Sequence, residues 1–304
     1  MAEKNYEYYE GRERAMGTLF KLYAFHPPGR GEWMRGLADR LFDSIVADDR
    51  RLSIYAEDSL INRINRAAGK EPVECDSDTF ALLKEARGYW ELTGGLFDIT
   101  AGLLMRSWGF FSDSAMPDEA GISSPEEIRP LIGCDKLELD PVRCAARLAR
   151  QGMLLDLGGF AKGWCVQRRS EILSAEGLED FVISAGTSTV LARGAPPGEQ
   201  GWPGELETID NPAYEDPQLV LKDCAASVSA NYRNTVTSPQ GTTVRHIMNP
   251  VTLEPVQEIR RVVVVGPDAA ECEALSTAYL IQGSLAGYFT VENRPDISVH
   301  FNSH

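Results

Sequence analysis

The sequence predicts an α+β fold in which helices and strands are mixed in layers. Helical and strand-like patterns alternate along all 304 residues, and no internal repeat divides the chain. No stretch has the composition of a linker between two domains. A content of 43% hydrophobic and 25% charged residues is typical of a globular protein with a large core. We therefore expect one domain over residues 1–304, with a variable excursion around 110–135.

Each predicted element has its own local pattern. Alternating apolar residues predict an early strand, and near-continuous apolar runs predict buried strands. These strands cover residues 18–25, 180–186 and 260–266. Apolar residues at helical spacing, followed by glycines, predict helices over 57–69, 77–95 and 268–283. Asp268 is a suitable N-cap for the last helix, and the later "ISVHF" can add an edge strand.

Charge and composition exclude several classes of partner. A formal net charge of −15 argues against nucleic acid. The chain has no run of about 18 apolar residues, so it predicts no membrane span. The first residues lack the pattern of a secretory signal, so the sequence as given predicts a cytoplasmic protein. A periplasmic location requires that a signal was removed.

Six cysteines occur without the CxxC spacing of metal or redox sites. Their neighbours are apolar, which favours reduced, buried thiols over disulfides and metal ligands. The six are Cys75, Cys134, Cys144, Cys165, Cys224 and Cys272.

The stretch LLDLGGFAKG (154–163) combines a carboxylate, two glycines and a lysine. Its leucines predict the end of a buried strand before Asp156, and Lys162 falls in the first turn of the next helix. Gly158 and Gly159 allow a tight turn and a close approach to a ligand. Free N–H groups at a helix N-terminus, with a lysine, suit a phosphate. The alternative is that Asp156 only caps the helix, and the stretch alone leaves both interpretations open.

Three other places have a functional and a structural interpretation. Phe97 and Asp98 follow a helix end, where they could border a flat heterocycle, or serve as a core residue and an N-cap. His246 precedes an Asn-Pro turn, where a histidine is either structural or catalytic. Glu273 and Thr277 share one helix face and offer two oxygen ligands to magnesium, or a polar face to solvent.

Together, several stretches resemble the FAD:protein FMN transferase (ApbE) family in their order and spacing. The resemblance runs from Met16 to Gly283, nearly the whole chain. The stretches are "MGTLF" at 16–20, "SLINRIN" at 59–65, "TGGLFDITAGLLMRSWGF" at 93–110, "LDLGGFAKG", "SANY" at 229–232 before "RHIMNPVT", and "EALSTAYLIQG".

This resemblance implies an α+β, T-fold-like domain with an FAD cleft between its lobes. It implies a magnesium-dependent transfer of FMN from FAD to a threonine or serine of an acceptor protein, with release of AMP. Some members of the family hydrolyse FAD to FMN and AMP instead. Phosphoryl transfer needs charge neutralisation and alignment more than covalent help, and magnesium prefers oxygen ligands, so the residue types are consistent with this chemistry.

The resemblance also implies roles for individual residues. The FAD site would consist of Met16, Tyr55, Leu96, Phe97, Asp98, Asp156, Lys162 and Ile247. The metal ligands would be the carbonyl of Gly159 with Glu273 and Thr277. The catalytic residues would be His246, which deprotonates or orients the acceptor hydroxyl, and Asp156, which positions a ligand or a metal-bound water.

Four departures from the family pattern concern this site. Glu273 stands where the family usually has aspartate, one methylene shorter. The usual Asp-Pro-x-Thr-Gly after the histidine begins here with Asn249 and ends with Leu253. Gln167 replaces an acidic residue, and the carboxylate usually found near Thr187 is missing. These changes predict weaker magnesium binding.

Three functions therefore stay open on the sequence. The first is the FMN transferase, the second is an FAD pyrophosphatase, and the third is a flavin-binding protein without turnover. The chain has no close copy of the family's acceptor pattern, Asp-x-x-Ser/Thr-Gly-Ala-Ser/Thr, so we expect an external acceptor. The sequence does not identify this acceptor, and it leaves both monomer and dimer open.

Overall fold

The computed structural model describes residues 5–111, 125–206, 219–232, 234–237, 243–285, 291 and 293–303. Much of the predicted excursion around 110–135 lies outside these residues. Its described end forms α5 and a 3-10 turn at Arg129–Leu131. In the described part of the chain, no helix has the length and apolar composition that crossing a bilayer requires.

The described residues form helices and strands throughout. The helices are α1 (Gly31–Leu52), α2 (Leu60–Arg66), α3 (Ser77–Leu92), α4 (Gly102–Ser107), α5 (Pro125–Ile128), α6 (Ala161–Ala175) and α7 (Ala269–Gln282). The strands of the first half are β1 (Glu7–Ala15), β2 (Thr18–His26), β3 (Val73–Glu74), β4 (Leu137–Asp140) and β5 (Ala145–Leu148). Those that follow are β6 (Asp180–Ala185), β7 (Thr189–Arg193), β8 (Trp202–Pro203), β9 (Val220–Leu221), β10 (Cys224–Ala230), β11 (Thr235–Thr237), β12 (Thr243–Arg245), β13 (Met248–Asn249), β14 (Glu254–Pro255), β15 (Arg260–Gly266) and β16 (Ser298–Ser303).

A seven-stranded antiparallel sheet, in the order β1-β2-β6-β7-β10-β15-β16, supports the fold. The helices α1, α6 and α7 pack on one face. Along β6, Phe181 and Ile183 belong to the core under these helices, whereas Val182 belongs to a second apolar cluster with Trp202 and Leu221. Because successive strand residues point to opposite faces, covering both faces explains the continuous apolar runs of the sequence.

The predicted strands over 18–25, 180–186 and 260–266 are confirmed, and the tail adds β16 as an edge strand. The three predicted helices are confirmed with modest shifts, since the first is shorter and begins after Ser59. Asp268 caps α7 by accepting a hydrogen bond from the N–H of Glu271 at 2.9 Å. Gly283 ends that helix with a φ of 79°.

The predicted buried strand before Asp156 is wrong. Leu154 makes only one isolated bridge, parallel to Ala101. At Leu155, the side chain of Asn65 makes the two hydrogen bonds that a neighbouring strand would otherwise make. The amide of Asn65 accepts from the N–H of Leu155 at 2.7 Å and donates to its carbonyl at 3.1 Å. Both backbone groups of Leu155 are therefore satisfied without a sheet.

The burial predicted for the cysteines is correct for three of them. Cys134, Cys165 and Cys272 are buried. Cys75, Cys144 and Cys224 are partly exposed, so the prediction is wrong for these three.

A buried ion pair joins α1 to α6 beneath the sheet. The side chains of Asp48 and Arg169 are each 5% exposed, and the guanidinium of Arg169 donates to the carboxylate of Asp48. Arg169 also donates to the carbonyl of Ser44 at 3.0 Å, and Arg51 donates to the second oxygen of Asp48. Burial raises the pKa of Asp48, while the two arginines act in the opposite direction.

We expect Arg169→Met to lower the free energy of unfolding by about 3 kcal/mol, because it leaves a buried carboxylate with one partner fewer. Thermal and urea unfolding measure the effect. Arg40→Met, which breaks the exposed pair between Arg40 on α1 and Glu176 at the end of α6, is the matched control and should cost about 0.5 kcal/mol or less. Equal losses in both variants would contradict a special role for the buried pair.

Candidate active site

A cleft of about 600 Å³ collects every site residue that the sequence predicts. This volume is in the usual range for sites that enclose a small molecule. The predicted residues that line it are Met16, Tyr55, Leu96, Phe97, Asp98, Asp156, Gly159, Lys162, His246, Ile247, Glu273 and Thr277. The structure therefore brings together residues that are up to 261 positions apart in the sequence, from Met16 to Thr277.

Met16 reaches the cleft from the hairpin between β1 and β2. Ala15 pairs with Thr18, so Met16 and Gly17 form a two-residue turn, with φ values of 50° and 70°. A type I′ turn needs positive φ at both positions, and its twist matches that of the strands. The hairpin thus holds a methionine in a conformation that non-glycine residues seldom adopt.

The start of α6 contributes Asp156, Gly158 and Lys162. The ammonium of Lys162 donates to the carbonyl of Gly158 at 2.8 Å, and Oδ1 of Asp156 accepts from the N–H of Gly158 at 3.0 Å. The N-cap of α6 is Phe160, without a side-chain cap, so the interpretation of Asp156 as a simple helix cap is wrong. Burial raises the pKa of Asp156, against the opposing effects of the Gly158 N–H and of Lys162.

Glu273 reaches from α7 to the first turn of α6. One carboxylate oxygen accepts from the N–H of Gly163, and the other lies 3.4 Å from the ammonium of Lys162. The first N–H groups of a helix have no partner inside the helix, so Glu273 supplies a cap from a different helix. A Cβ on Gly163 would lie 2.6 Å from this carboxylate and from the carbonyl of Ala269. Only glycine permits this approach.

Thr277 lies one turn after Glu273 and belongs to a group of three hydroxyls. The hydroxyl of Ser229, on β10, is 3.0 Å from that of Thr277 and 2.8 Å from that of Ser276. Ser229 also lines the cleft. The central sheet therefore provides a hydrogen-bond partner for the Thr277 hydroxyl.

His246 follows β12 and faces the carbonyl of Asn234. Its backbone N–H donates to this carbonyl at 3.0 Å, and its Nδ1 lies 3.2 Å from the same oxygen. A neutral ring that donates its Nδ1 proton here carries its lone pair on Nε2. This arrangement suits a general base, and Asn234 also lines the cleft.

Phe97 and Asp98 make contacts within the fold and also line the cleft. Phe97 is 3% exposed and packs on Phe160 with ring centroids 5.4 Å apart, yet it borders the cleft. Oδ1 of Asp98 accepts from the N–H and hydroxyl of Thr100 at 2.7 and 2.6 Å. Since α4 begins at Gly102 after Ala101, the N-cap interpretation of Asp98 is wrong. Burial raises the pKa of Asp98.

The departures from the family pattern have unequal consequences. Gln167 lies outside the cleft, where its side-chain Oε1 accepts from the first N–H of α7, on Ala269, at 3.1 Å. Leu253 has a φ of 66°, so it keeps a conformation that glycine adopts readily. Asn249 closes the same turn by accepting from Val251 at 2.9 Å. The changes at Glu273 and near Thr187 remain the ones that alter the cleft.

The charges of the cleft are unbalanced. Among its described lining residues, Lys162 is the only lysine or arginine, while Asp98, Asp156 and Glu273 are carboxylates. A pyrophosphate entering this cleft needs more positive charge than one lysine provides. The N-terminus of α6 supplies part of it, and a cation would supply the rest.

Sequence reasoning missed several other lining residues. They include Met105, Phe111, Thr187, Ser188, Ser229, Asn234 and Ile281. Ser229 lies in a stretch that carries the family resemblance, so that motif could have indicated it. Phe111 and Ile281 look like ordinary core residues in sequence, and only the fold places them at the cleft.

Solved structures of flavin transferases share this fold. The ApbE protein of Thermotoga maritima superposes with a TM-score of 0.76 at 27% identity, covering 91% of this chain and 87% of that one. A variant of the flavin transferase ApbE from Vibrio cholerae gives a TM-score of 0.77 at 24% identity, covering 98% and 97%. Residues 16–301 match the ApbE family, and the chain belongs to this family. The predicted fold class and resemblance are thereby confirmed.

Curated relatives agree with the family assignment. The FAD:protein FMN transferase of Vibrio cholerae is 26% identical over 287 residues, which cover 91% of this chain and 82% of the relative. That of Treponema pallidum is 26% identical over 293 residues, covering 90% and 79%.

Proposed function

We propose that this protein transfers FMN from FAD to a threonine or serine hydroxyl of an acceptor protein and releases AMP. The observation that carries the proposal is the convergence of all twelve predicted residues on one cleft. Membership of the ApbE family, with relatives called FAD:protein FMN transferases, supports the same reaction.

The metal of the proposed reaction is Mg²⁺, and the carbonyl of Gly159, the carboxylate of Glu273 and the hydroxyl of Thr277 would hold it. These are oxygen donors only, as magnesium prefers. The described residues contain no group of three or more His, Cys, Asp or Glu side chains placed to hold a metal ion. A magnesium ion held by so few protein ligands would take its other ligands from substrate phosphate or water, as is usual for magnesium. The bound ion would supply positive charge at the pyrophosphate.

The chain's own residues perform the remaining steps. Lys162 and the N–H groups at the start of α6 bind the pyrophosphate. Nε2 of His246 takes the proton of the acceptor hydroxyl, whose oxygen attacks the phosphorus of the FMN half. The bond to the bridging oxygen breaks, and AMP leaves with that oxygen. Alignment and charge neutralisation provide most of the catalysis in such a transfer.

The direct test is mass spectrometry after incubation with FAD, magnesium and a peptide that carries Asp-x-x-Thr-Gly-Ala-Thr. We expect the peptide to gain the mass of FMN less one water, with one AMP released per modified peptide. The matched control is the same peptide with both threonines changed to alanine, which removes every acceptor hydroxyl of the pattern. AMP release without peptide modification would favour the pyrophosphatase, and FAD that stays intact would favour a binding protein.

We expect FAD to bind more tightly than FMN, because the proposed contacts extend from the flavin to the pyrophosphate. Titration followed by flavin fluorescence measures both dissociation constants, with riboflavin as the control without phosphate. Equal affinity for FAD and FMN would contradict contacts beyond the first phosphate.

A further inference from the structure

The end of α4 brings an aromatic ring to the cleft in an unusual backbone conformation. Gly109 has a φ of 89°, and the N–H of Phe110 donates to the carbonyl of Met105 at 3.1 Å, which closes the helix. Phe111 then has a φ of 67°. For a bulky residue this is a true outlier, which persists only where the surroundings impose it.

The positive φ separates two neighbouring phenylalanines. Phe110 packs with Met105 and Trp108 against a small apolar cluster around Leu104 and Met248. Phe111 instead packs against the main core and lines the cleft. The positive φ of Phe111 thus occurs where the two rings diverge into different clusters, and strain of this kind is concentrated at functional sites.

Phe111 meets Tyr55 at the cleft. Their ring centroids are 6.3 Å apart, and the ring planes are 78° apart. Tyr55 is 56% exposed, so much of its side chain remains accessible at the cleft. Two rings at nearly a right angle form a corner in which a third flat ring can stack on one face and contact an edge of the other.

We propose that Phe111 is a ligand-binding residue that, together with Tyr55, holds one flat heteroaromatic ring of the dinucleotide. The inference rests on the proposed function only in taking FAD as the ligand. It assigns to the site a residue that no family motif in the sequence indicated. The chemistry requires stacking only, so either the isoalloxazine or the adenine ring qualifies.

The experiment compares Phe111→Leu, Phe111→Gly and the wild type by binding of FAD, FMN and AMP, each measured by isothermal titration calorimetry. Leucine keeps the apolar volume and the strained backbone but removes the ring, while glycine removes the ring and relieves the strain. We expect both variants to bind FAD about tenfold more weakly, the size expected for losing one stacked ring. We also expect a matching loss for either FMN or AMP, which identifies the ring.

Thermal unfolding separates a binding role from a packing role. We expect Phe111→Gly to unfold within a few degrees of the wild type, because relief of strain offsets the lost contacts. Wild-type affinity in Phe111→Leu for all three ligands would overturn the proposal. If FAD binds as expected but no peptide is modified, the transferase proposal fails and this one stands. If the wild type binds no FAD, both fail.

Discussion

Glu273→Asp is expected to raise magnesium-dependent AMP release several-fold, although the variant should be less stable than the wild type. The glutamate reaches past the cleft to the N–H of Gly163 and lies 3.4 Å from the ammonium of Lys162. A side chain shorter by one methylene withdraws from both partners, which leaves its carboxylate available to a cation. Magnesium needs near-octahedral geometry with ligands at about 2.1 Å. In the wild type, the ammonium of Lys162 competes with magnesium for one oxygen of Glu273, and the other oxygen is directed to the N–H of Gly163. Both contacts should weaken magnesium binding.

The expected loss of stability has a separate cause. Glu273 caps the first turn of α6, and loss of a cap costs roughly 0.5–2 kcal/mol. A lower melting temperature combined with higher activity would therefore distinguish a metal effect from a general improvement of the protein.

Two further variants control this experiment. Glu273→Gln keeps a hydrogen-bond acceptor for Gly163 but removes the negative charge, so it should fold normally and release little AMP. Thr277→Val keeps the shape and removes the hydroxyl, and it should abolish AMP release. The measurement is AMP release against magnesium concentration, with Mn²⁺ binding followed by electron paramagnetic resonance as an independent readout. Lower activity in Glu273→Asp would show that the site is adapted to glutamate.

The sequence predicted the elements of this fold better than their contacts. The runs that form β6 and β15 are apolar on both sides, and they are strands because both faces of the sheet are covered. The strand predicted before Asp156 failed because a side chain 90 positions away, Asn65, binds both backbone groups of Leu155. Local patterns carry no information about such a distant partner.

The same limit applies to the site. The family resemblance selected twelve residues that the fold brings to one cleft. It could not indicate that Glu273 caps α6, since the approach depends on how closely two helices pack at Gly163. It also grouped Gln167 with the site, whereas this side chain binds the start of α7 at Ala269. Side-chain direction decides between these cases, and it follows from packing rather than spacing.

Lys162→Met is expected to weaken FAD binding by about ten- to a hundredfold, while Asp156→Asn should have a smaller effect. Lys162 is the only lysine or arginine among the described lining residues, and a hydrogen bond to a charged group contributes roughly 1.5–3 kcal/mol. The side chain of Lys162 is only 21% exposed, and Asp156 is half-buried. Both nevertheless border the cleft, so truncation opens no cavity in the core.

Varying the ionic strength distinguishes pyrophosphate binding by Lys162 from a purely structural role of this residue. If Lys162 binds the pyrophosphate, the affinity of the wild type for FAD should fall as salt rises, and Lys162→Met should show a flatter dependence. Affinity for riboflavin, which has no phosphate, should be the same in both proteins. Lys162→Arg restores a positive charge without the compact ammonium, so it should recover the salt dependence and only part of the affinity. An unchanged FAD affinity in Lys162→Met, accompanied by a large fall in melting temperature, would instead show that the lysine only pairs with Glu273 and Gly158 to hold α6 in place.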